Sequence, residues 1–197
     1  MSALVDRAIE WAGLGDVLAA RREGRLPEAL GQRLGAADLL VLGALADRVR
    51  AEEVGAEVVV YTGTPPPTDE PVVTLPAEDG SLTGLELLRE VALARITGPQ
   101  RVRVRVVWTR CGLELAQVAL GFGADELAGR IATKRGLPIG EGELAGAGKK
   151  SRRELAQVVK RKELAAYVRR AGRVPLFMGE GGQPEPMLAE PAPREAT

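Results

Sequence analysis

The stretch Arg101-Val102-Arg103-Val104-Arg105-Val106-Val107-Trp108 alternates arginine with valine before ending on an aromatic residue. Only a β-strand, whose side chains alternate between faces, sorts that pattern into one charged face and one apolar face. A half-buried strand running up to Trp108 is therefore predicted. Upstream, Thr83-x-x-Glu86 is a capping box, and the helix behind it carries Leu85, Leu88, Ala92 and Ile96 inward before Gly98-Pro99 stops it. Downstream, a helix from about Gly112 to Leu120 leads into Gly121-Phe122-Gly123-Ala124-Asp125-Glu126-Leu127, a glycine-punctuated segment with room for a short strand. Helices alternating with strands in this way predict an α/β protein with a parallel sheet.

Working toward the N-terminus, Asp38 to Val54 places Leu39, Leu42, Leu45, Ala46 and Val49 on one helical face, with Gly55 as the residue that ends it. Glu57 to Tyr61 reads as a strand, and Thr62-Gly63-Thr64-Pro65-Pro66-Pro67 must be loop. A further short strand is expected at Val72–Leu75, with a turn around Asp79-Gly80. Two short helices are expected in residues 3–34, one from Ala3 to Trp11 and one from near Asp16, with Leu26-Pro27-Glu28 opening another turn.

Toward the C-terminus, residues 134–148 hold five glycines and a proline and read as an irregular connection. Ser151-x-x-Glu154 is a second capping box, opening a basic helical region that closes at Ala171-Gly172. The apolar phase slips around Lys160-Arg161-Lys162, so that region holds one helix or two. Residues 1–178 are expected to form a single α/β domain and residues 179–197, rich in Gly, Pro, Glu and Ala, a disordered tail.

The 197 residues contain no histidine and one cysteine, Cys111. That inventory excludes Ser-His-Asp and Cys-His nucleophile pairs, histidine metal ligation, a structural zinc site and an iron–sulfur cluster held by this chain alone. No signal peptide and no apolar run long enough to span a membrane is read, which places the protein in the cytoplasm. The 27 Lys and Arg balance the 27 Asp and Glu. The balance is uneven along the chain: Lys149 to Arg173 carries ten basic residues against two acidic ones. Lys149, Lys150, Arg152, Arg153, Lys160, Arg161 and Lys162 make this a candidate interaction surface for an acidic protein, or less readily nucleic acid, because only Tyr167 is at hand to stack on a base.

Other candidates rest on residue type. Asp125 and Glu126, expected in a loop, could meet a ribose diol or orient a proton acceptor, or they could be ordinary surface acids. Arg101, Arg103 and Arg105 on one strand face fit either a solvated sheet face or an anion-binding surface. Trp108 fits core packing or a stacking platform. Cys111, beside Arg110 and just before a helix, could hold a stabilised thiolate, or be a small buried hydrophobe. Gly146-x-Gly148 followed by Lys149-Lys150-Ser151 has the composition of a phosphate loop without its spacing or preceding strand.

The order of segments resembles a family. Gly24-Arg25-Leu26-Pro27-Glu28-Ala29 leading to Ala37-Asp38-Leu39-Leu40-Val41-Leu42-Gly43-Ala44-Leu45-Ala46 is similar to the N-terminal helices of the radical SAM enzymes of the futalosine menaquinone pathway, the aminofutalosine synthase type. The related enzymes that build the side ring of a deazaflavin cofactor share those helices. Thr83 to Arg95 resembles their late-barrel helix, Leu115 to Gly129 their last strand–helix–strand unit, and Glu163 to Pro175 their closing helix. The resemblance implies a partial (β/α) barrel: a small, mostly parallel sheet of three to five strands flanked by helices. It also implies that Asp125, Glu126, Gln117 and Trp108 lie at the ligand face, the carboxyl end of the barrel strands.

The departures are as telling. The family's C-x-x-x-C-x-x-C loop follows its first barrel strand, whereas here Tyr61 runs into threonine and proline. A full barrel takes roughly 250 residues, and the segment from Val60 to Ser81 leaves no space for the missing units. Ala128 and Arg130 replace an acid and a threonine, and Thr133 and Lys134 replace an acidic pair. The expected function is that of a non-catalytic, radical-SAM-derived protein linked to menaquinone biosynthesis, with no cofactor of its own. It would act as a partner subunit or a binder of a nucleoside intermediate. An incomplete barrel leaves an apolar edge, so a homo-oligomer, or assembly with a full-length relative, is expected. The alternative is an interaction module built on the basic helix.

Overall fold

Asp38 accepts hydrogen bonds from Leu40 N at 2.9 Å and Val41 N at 3.2 Å, and so starts helix α4, Leu39–Glu53. Thr83 and Glu86 exchange the two bonds of a capping box at the start of α5, Gly84–Thr97. These two helices pack along one another, and strands join them into an α/β domain. In the computed structural model the described residues are 3–24, 26, 28–77, 82–132, 159–179 and 182–185. The first three helices are α1 (Ala3–Trp11), α2 (Gly15–Arg22) and α3 (Glu28–Ala36), followed by α4, β1 (Glu57–Tyr61), β2 (Val72–Leu75) and α5. Then come β3 (Arg103–Val107), the single turn α6 (Trp108–Cys111), α7 (Leu113–Leu120), β4 (Glu126–Ala128), β5 (Ile131–Ala132), β6 (Val159–Lys160), α8 (Arg161–Arg170) and β7 (Val174–Met178).

The main sheet has five strands in the order β2-β3-β4-β1-β7, every neighbour parallel. The expected α/β class with a small parallel sheet is what the chain adopts. Val58, Val60, Val104, Val106, Leu127 and Phe177 point to one face, where they share a single core with Leu42 and Leu45 of α4, Leu88, Val91 and Ile96 of α5, Ala116 and Leu120 of α7, and Leu164 and Val168 of α8. The period of two then sends Tyr61, Arg103, Arg105, Glu126 and Ala128 to the other face. Both edge strands carry prolines: Pro71 and Pro76 bracket β2, and Pro175 lies within β7. A proline offers no N–H to an incoming strand, so the edges are poor templates for pairing with a second chain.

Several expectations change. Arg101 is not on the strand; it sits before β3 with φ 60°, its N–H held by Glu53 Oε2 at 2.7 Å. Leu85 is exposed and Leu87 takes the inward place, because the buried stripe of α5 runs through 87, 88, 91, 92, 95 and 96. The phase slip near Lys160 is a strand giving way to a helix: Val159–Lys160 pairs with Ile131–Ala132, and α8 starts at Arg161. The described part of the expected tail is not loose. Pro184 bridges Met178, and Glu185 N donates to Phe177 O at 2.8 Å, so residues 182–185 lie against β7. The connection at 134–148, the capping box at Ser151 and residues 186–197 lie outside the described residues.

Arginine side chains reach the carbonyls at or just beyond several helix ends. Arg21, buried, donates to Ile96 O at 3.2 Å, to Gly98 O and to Pro99 O at 2.7 Å, while its other N–H groups hold Glu53 at 2.6 and 3.0 Å. Arg89 serves the end of α3 through Gly35 O and Ala37 O, both at 3.1 Å. Arg50 reaches Gly55 O beyond α4, and Arg173 reaches Leu120 O at the end of α7 at 3.4 Å. The last carbonyls of a helix have no partner within it and carry the negative end of its dipole, so a guanidinium satisfies both needs. Replacing Arg21 with methionine is expected to cost about 2 kcal/mol of unfolding free energy, since charged hydrogen bonds are lost at a buried helix end. Urea titration of the variant measures it, and a loss under a few tenths would contradict this role.

Candidate functional site

The charged face of the sheet grows from the alternation in β3 and from the two acids that open β4. Arg105 stands opposite Glu126 in register and donates to it through Nε, at 2.8 Å, and Nη2. Its guanidinium also lies over the Tyr61 ring, 4.9 Å from the centroid. Arg103 spans Asp125 Oδ2 at 2.9 Å and Glu70 Oε2 at 3.2 Å, with Glu126 Oε1 at 3.9 Å.

Asp125 lies one residue before β4, with no exposed surface at all. Its Oδ1 accepts from Val104 N at 2.8 Å and from Nη2 of Arg95, itself fully buried on α5. Arg95 in turn donates to Gly123 O at 2.9 Å and to Val102 O. A carboxylate with three donors, Val104 N, Arg95 and Arg103, is held rigidly, and nothing in this arrangement leaves it free to take up a ligand.

Burial sets the electrostatics. It pushes the Glu126 carboxyl up from the ordinary glutamate value, against the pull of Arg105, with Asp125 adding to the rise and Arg103 opposing it. Burial also raises the Tyr61 phenol, and Glu126 raises it further. It pulls Arg95 below the usual arginine value, with Asp125 opposing. For Arg103 burial works against the charge, yet Asp125, Glu70 and Glu126 outweigh it and hold the value above normal. A carboxyl raised in the folded state binds its proton more tightly there than in the unfolded chain. Glu126 therefore contributes most below the ordinary glutamate value, and that contribution is lost as pH climbs toward the raised value. Measured against Glu126→Gln, the stability of the unaltered protein is expected to fall relatively as pH rises through that window. A parallel pair of pH curves would contradict the assignment.

The sequence-predicted residues do not converge. Asp125 and Glu126 belong to the amino end of β4, opposite the carboxyl end at which barrel ligands sit, and they are strand-entry residues instead of loop acids. Gln117 lies on α7, within the helical layer behind the sheet. Trp108 does stand at the carboxyl end of β3, but as core: it is 1 % exposed and its ring lies flat on Gly129, where an added Cβ would come 2.6 Å from Cδ2. Its Nε1 has no acceptor among the described residues. Cys111 is half-buried and its thiol contacts the carbonyls of Val107 and Gly112 at 3.5 Å. Burial pushes it up to about 11, the value of an inert thiol and not of a nucleophile.

Of the basic surface, Lys149, Lys150, Arg152 and Arg153 lie outside the described residues. Lys160 and Lys162 are exposed. Arg161 is not part of that surface: it stacks on Phe177, 4.3 Å from the centroid, and pairs with Glu185. Arg170 lies over Tyr167 at 5.9 Å, which occupies the aromatic expected to stack on a base.

Arg95, Tyr61 and Glu70 were not singled out from sequence. Arg95 left a trace, an arginine in the apolar register of α5 behind Leu88, Val91 and Ala92. Glu70 left none. Among the described residues, no group of three or more His, Cys, Asp or Glu is placed to hold a metal ion, and no helix is long and apolar enough to cross a membrane. No protein-family model matches the chain, and no curated protein matches it.

Proposed function

We propose that this chain is a non-catalytic protein derived from a radical SAM barrel, linked to menaquinone formation through futalosine, and that it works as a partner subunit of a cluster-bearing relative. One observation favours the partner role over that of a nucleoside binder: Asp125 and Glu126 are consumed by Arg95, Arg103 and Arg105. With Gln117 on the helical layer and Trp108 in the core, the side chains expected to meet a ligand are placed elsewhere.

The donor set does not fit the cluster such a family implies. Beyond β1 the chain is Thr62-Gly63-Thr64-Pro65-Pro66-Pro67, and the single thiol follows β3 and is protonated at neutral pH. No step of radical chemistry is assigned to this chain. Native-host purification of the tagged chain is expected to recover a radical SAM protein carrying the C-x-x-x-C-x-x-C loop. Recovery of this chain alone would sink the partner reading. Iron and sulfide analysis after anaerobic reconstitution separates it from catalysis: a stoichiometric 4Fe–4S signal from this chain would overturn the non-catalytic assignment.

A further inference from the structure

The chain covers one of its own sheet edges. Beyond β7 it turns back, with Gly182 N donating to Gly179 O at 3.1 Å, and residues 183–185 run antiparallel to the strand. Gly179 N donates to Gln183 O at 3.0 Å, and Glu185 N to Phe177 O at 2.8 Å. Pro175 already denies a donor to any strand entering along the amino half of β7, so these bonds occupy the half that could still pair. Arg161 completes the seat. Its guanidinium lies over the Phe177 ring, its Nη1 pairs with the Glu185 carboxylate, and its Nη2 donates to Glu185 O at 3.2 Å. The fit is close: a Cβ added to Gly179 would come 3.0 Å from Glu185 Cδ.

What holds this strap is slight. No side chain of residues 182–185 belongs to the hydrophobic core, Gln183 and Pro184 are exposed, and the Glu185 side chain is 41 % exposed. A segment kept in place by short backbone pairing and one part-exposed ion pair opens by local unfolding far more readily than the strands beneath it. Opening it uncovers Phe177 O, Gly179 N and the Arg161 guanidinium together, a short strand edge beside a fixed cation.

We propose that the carboxyl half of β7 is a strand-addition site for an extended segment of a partner protein in which a proline precedes a carboxylate, and that residues 182–185 are a displaceable strap holding it closed. The chemistry of the occupant is read from the strap itself. Pro184 stands opposite Met178, and its neighbours Gln183 and Glu185 make the bonds to β7, so the backbone of that position points away and loses nothing by lacking an N–H. A carboxylate one residue further on meets Arg161, and a charge-assisted bond of that kind supplies selectivity where main-chain pairing supplies affinity. The strap competes from within the same chain at an effective concentration of roughly millimolar. An outside segment therefore binds only as far as the strap is open. The site is independent of the partner role above, since a peptide bound at β7 neither requires nor excludes a cluster-bearing relative.

Titration of the full chain with the capped peptide Gly-Gly-Gln-Pro-Glu-Pro-Met, followed through backbone amide NMR shifts at Phe177 and Gly179, tests it. Glu185→Lys sets the strap against Arg161. It is expected to lower the peptide's dissociation constant at least about tenfold relative to the unaltered chain, the change for a strap closed nine-tenths of the time. The same peptide with lysine in place of its glutamate is not expected to bind that variant. Adding Arg161→Glu to Glu185→Lys restores the pair with its signs reversed and should remove the gain. In the unaltered protein, the Glu185 amide is expected to exchange with solvent at least about a hundredfold faster than that of Val59, in the middle of the sheet. Equal protection of those two amides, a glutamate peptide that binds both chains alike or neither, or a lysine peptide bound as well as the glutamate one would overturn the proposal. A concentration-dependent dimer of the unaltered chain that Glu185→Lys abolishes would also overturn it, by making the occupant the tail of a second copy.

Discussion

Replacing Asp125 with alanine is expected to lower the unfolding free energy by about 3–5 kcal/mol, the cost of removing one partner of a buried ion pair. The size follows from what is left behind. Arg95 would keep its bonds to Gly123 O and Val102 O but lose its counter-charge in a site with no exposure. Val104 N, in the middle of the sheet, would lose its acceptor as well. Arg103, partly exposed, can turn to Glu70 and is the lesser loss. Asp125→Asn keeps the shape and one acceptor and should lie between the two proteins. Combining Asp125→Ala with Arg95→Met should recover much of the loss, since a buried pair replaced by apolar groups is often tolerated. Urea denaturation of the four proteins measures the cycle, and additive losses in the double variant would contradict direct coupling.

Replacing Trp108 with alanine is expected to cost about 3–5 kcal/mol, the usual range for emptying a buried aromatic site. The indole fills the carboxyl end of β3 against Gly129, and the glycine is there because a methyl group would overlap the ring. Gly129→Ala is accordingly expected to destabilise by about 1–3 kcal/mol through overpacking. Trp108→Phe separates packing from polarity. Nε1 has no acceptor among the described residues and so adds no hydrogen bond there, and phenylalanine should recover most of what alanine loses. If Trp108→Phe is as damaging as Trp108→Ala in thermal and urea unfolding, the indole N–H is making a bond that this account denies.

Both effects arise at positions where the sequence carried only half of the information. Arg103, Arg105, Val104 and Val106 are legible as one strand because period-two alternation is a local property of the backbone. Thr83 with Glu86, and Asp38 before Leu39, are legible as helix starts because capping is complete within four residues. Asp125 is different. Its neighbours Gly123 and Ala124 suggest a surface turn, and only the register of β4 between β1 and β3 brings it beside Arg95, thirty residues earlier in the chain. Arg21 likewise caps a helix end more than seventy residues away.

From its sequence alone this protein is determined to be an α/β chain, built from short-range patterns of charge, capping and alternation, with one thiol and no imidazole, too few to hold an iron–sulfur cluster alone or to form a histidine-assisted nucleophile pair. Strand order, the face on which each charge lies, and the conversion of would-be ligand acids into buried ion pairs were decided only by tertiary structure. The reason is that desolvation acts on three-dimensional neighbours: an aspartate is a surface acid or the anchor of a buried triad according to which distant arginine the fold carries to it.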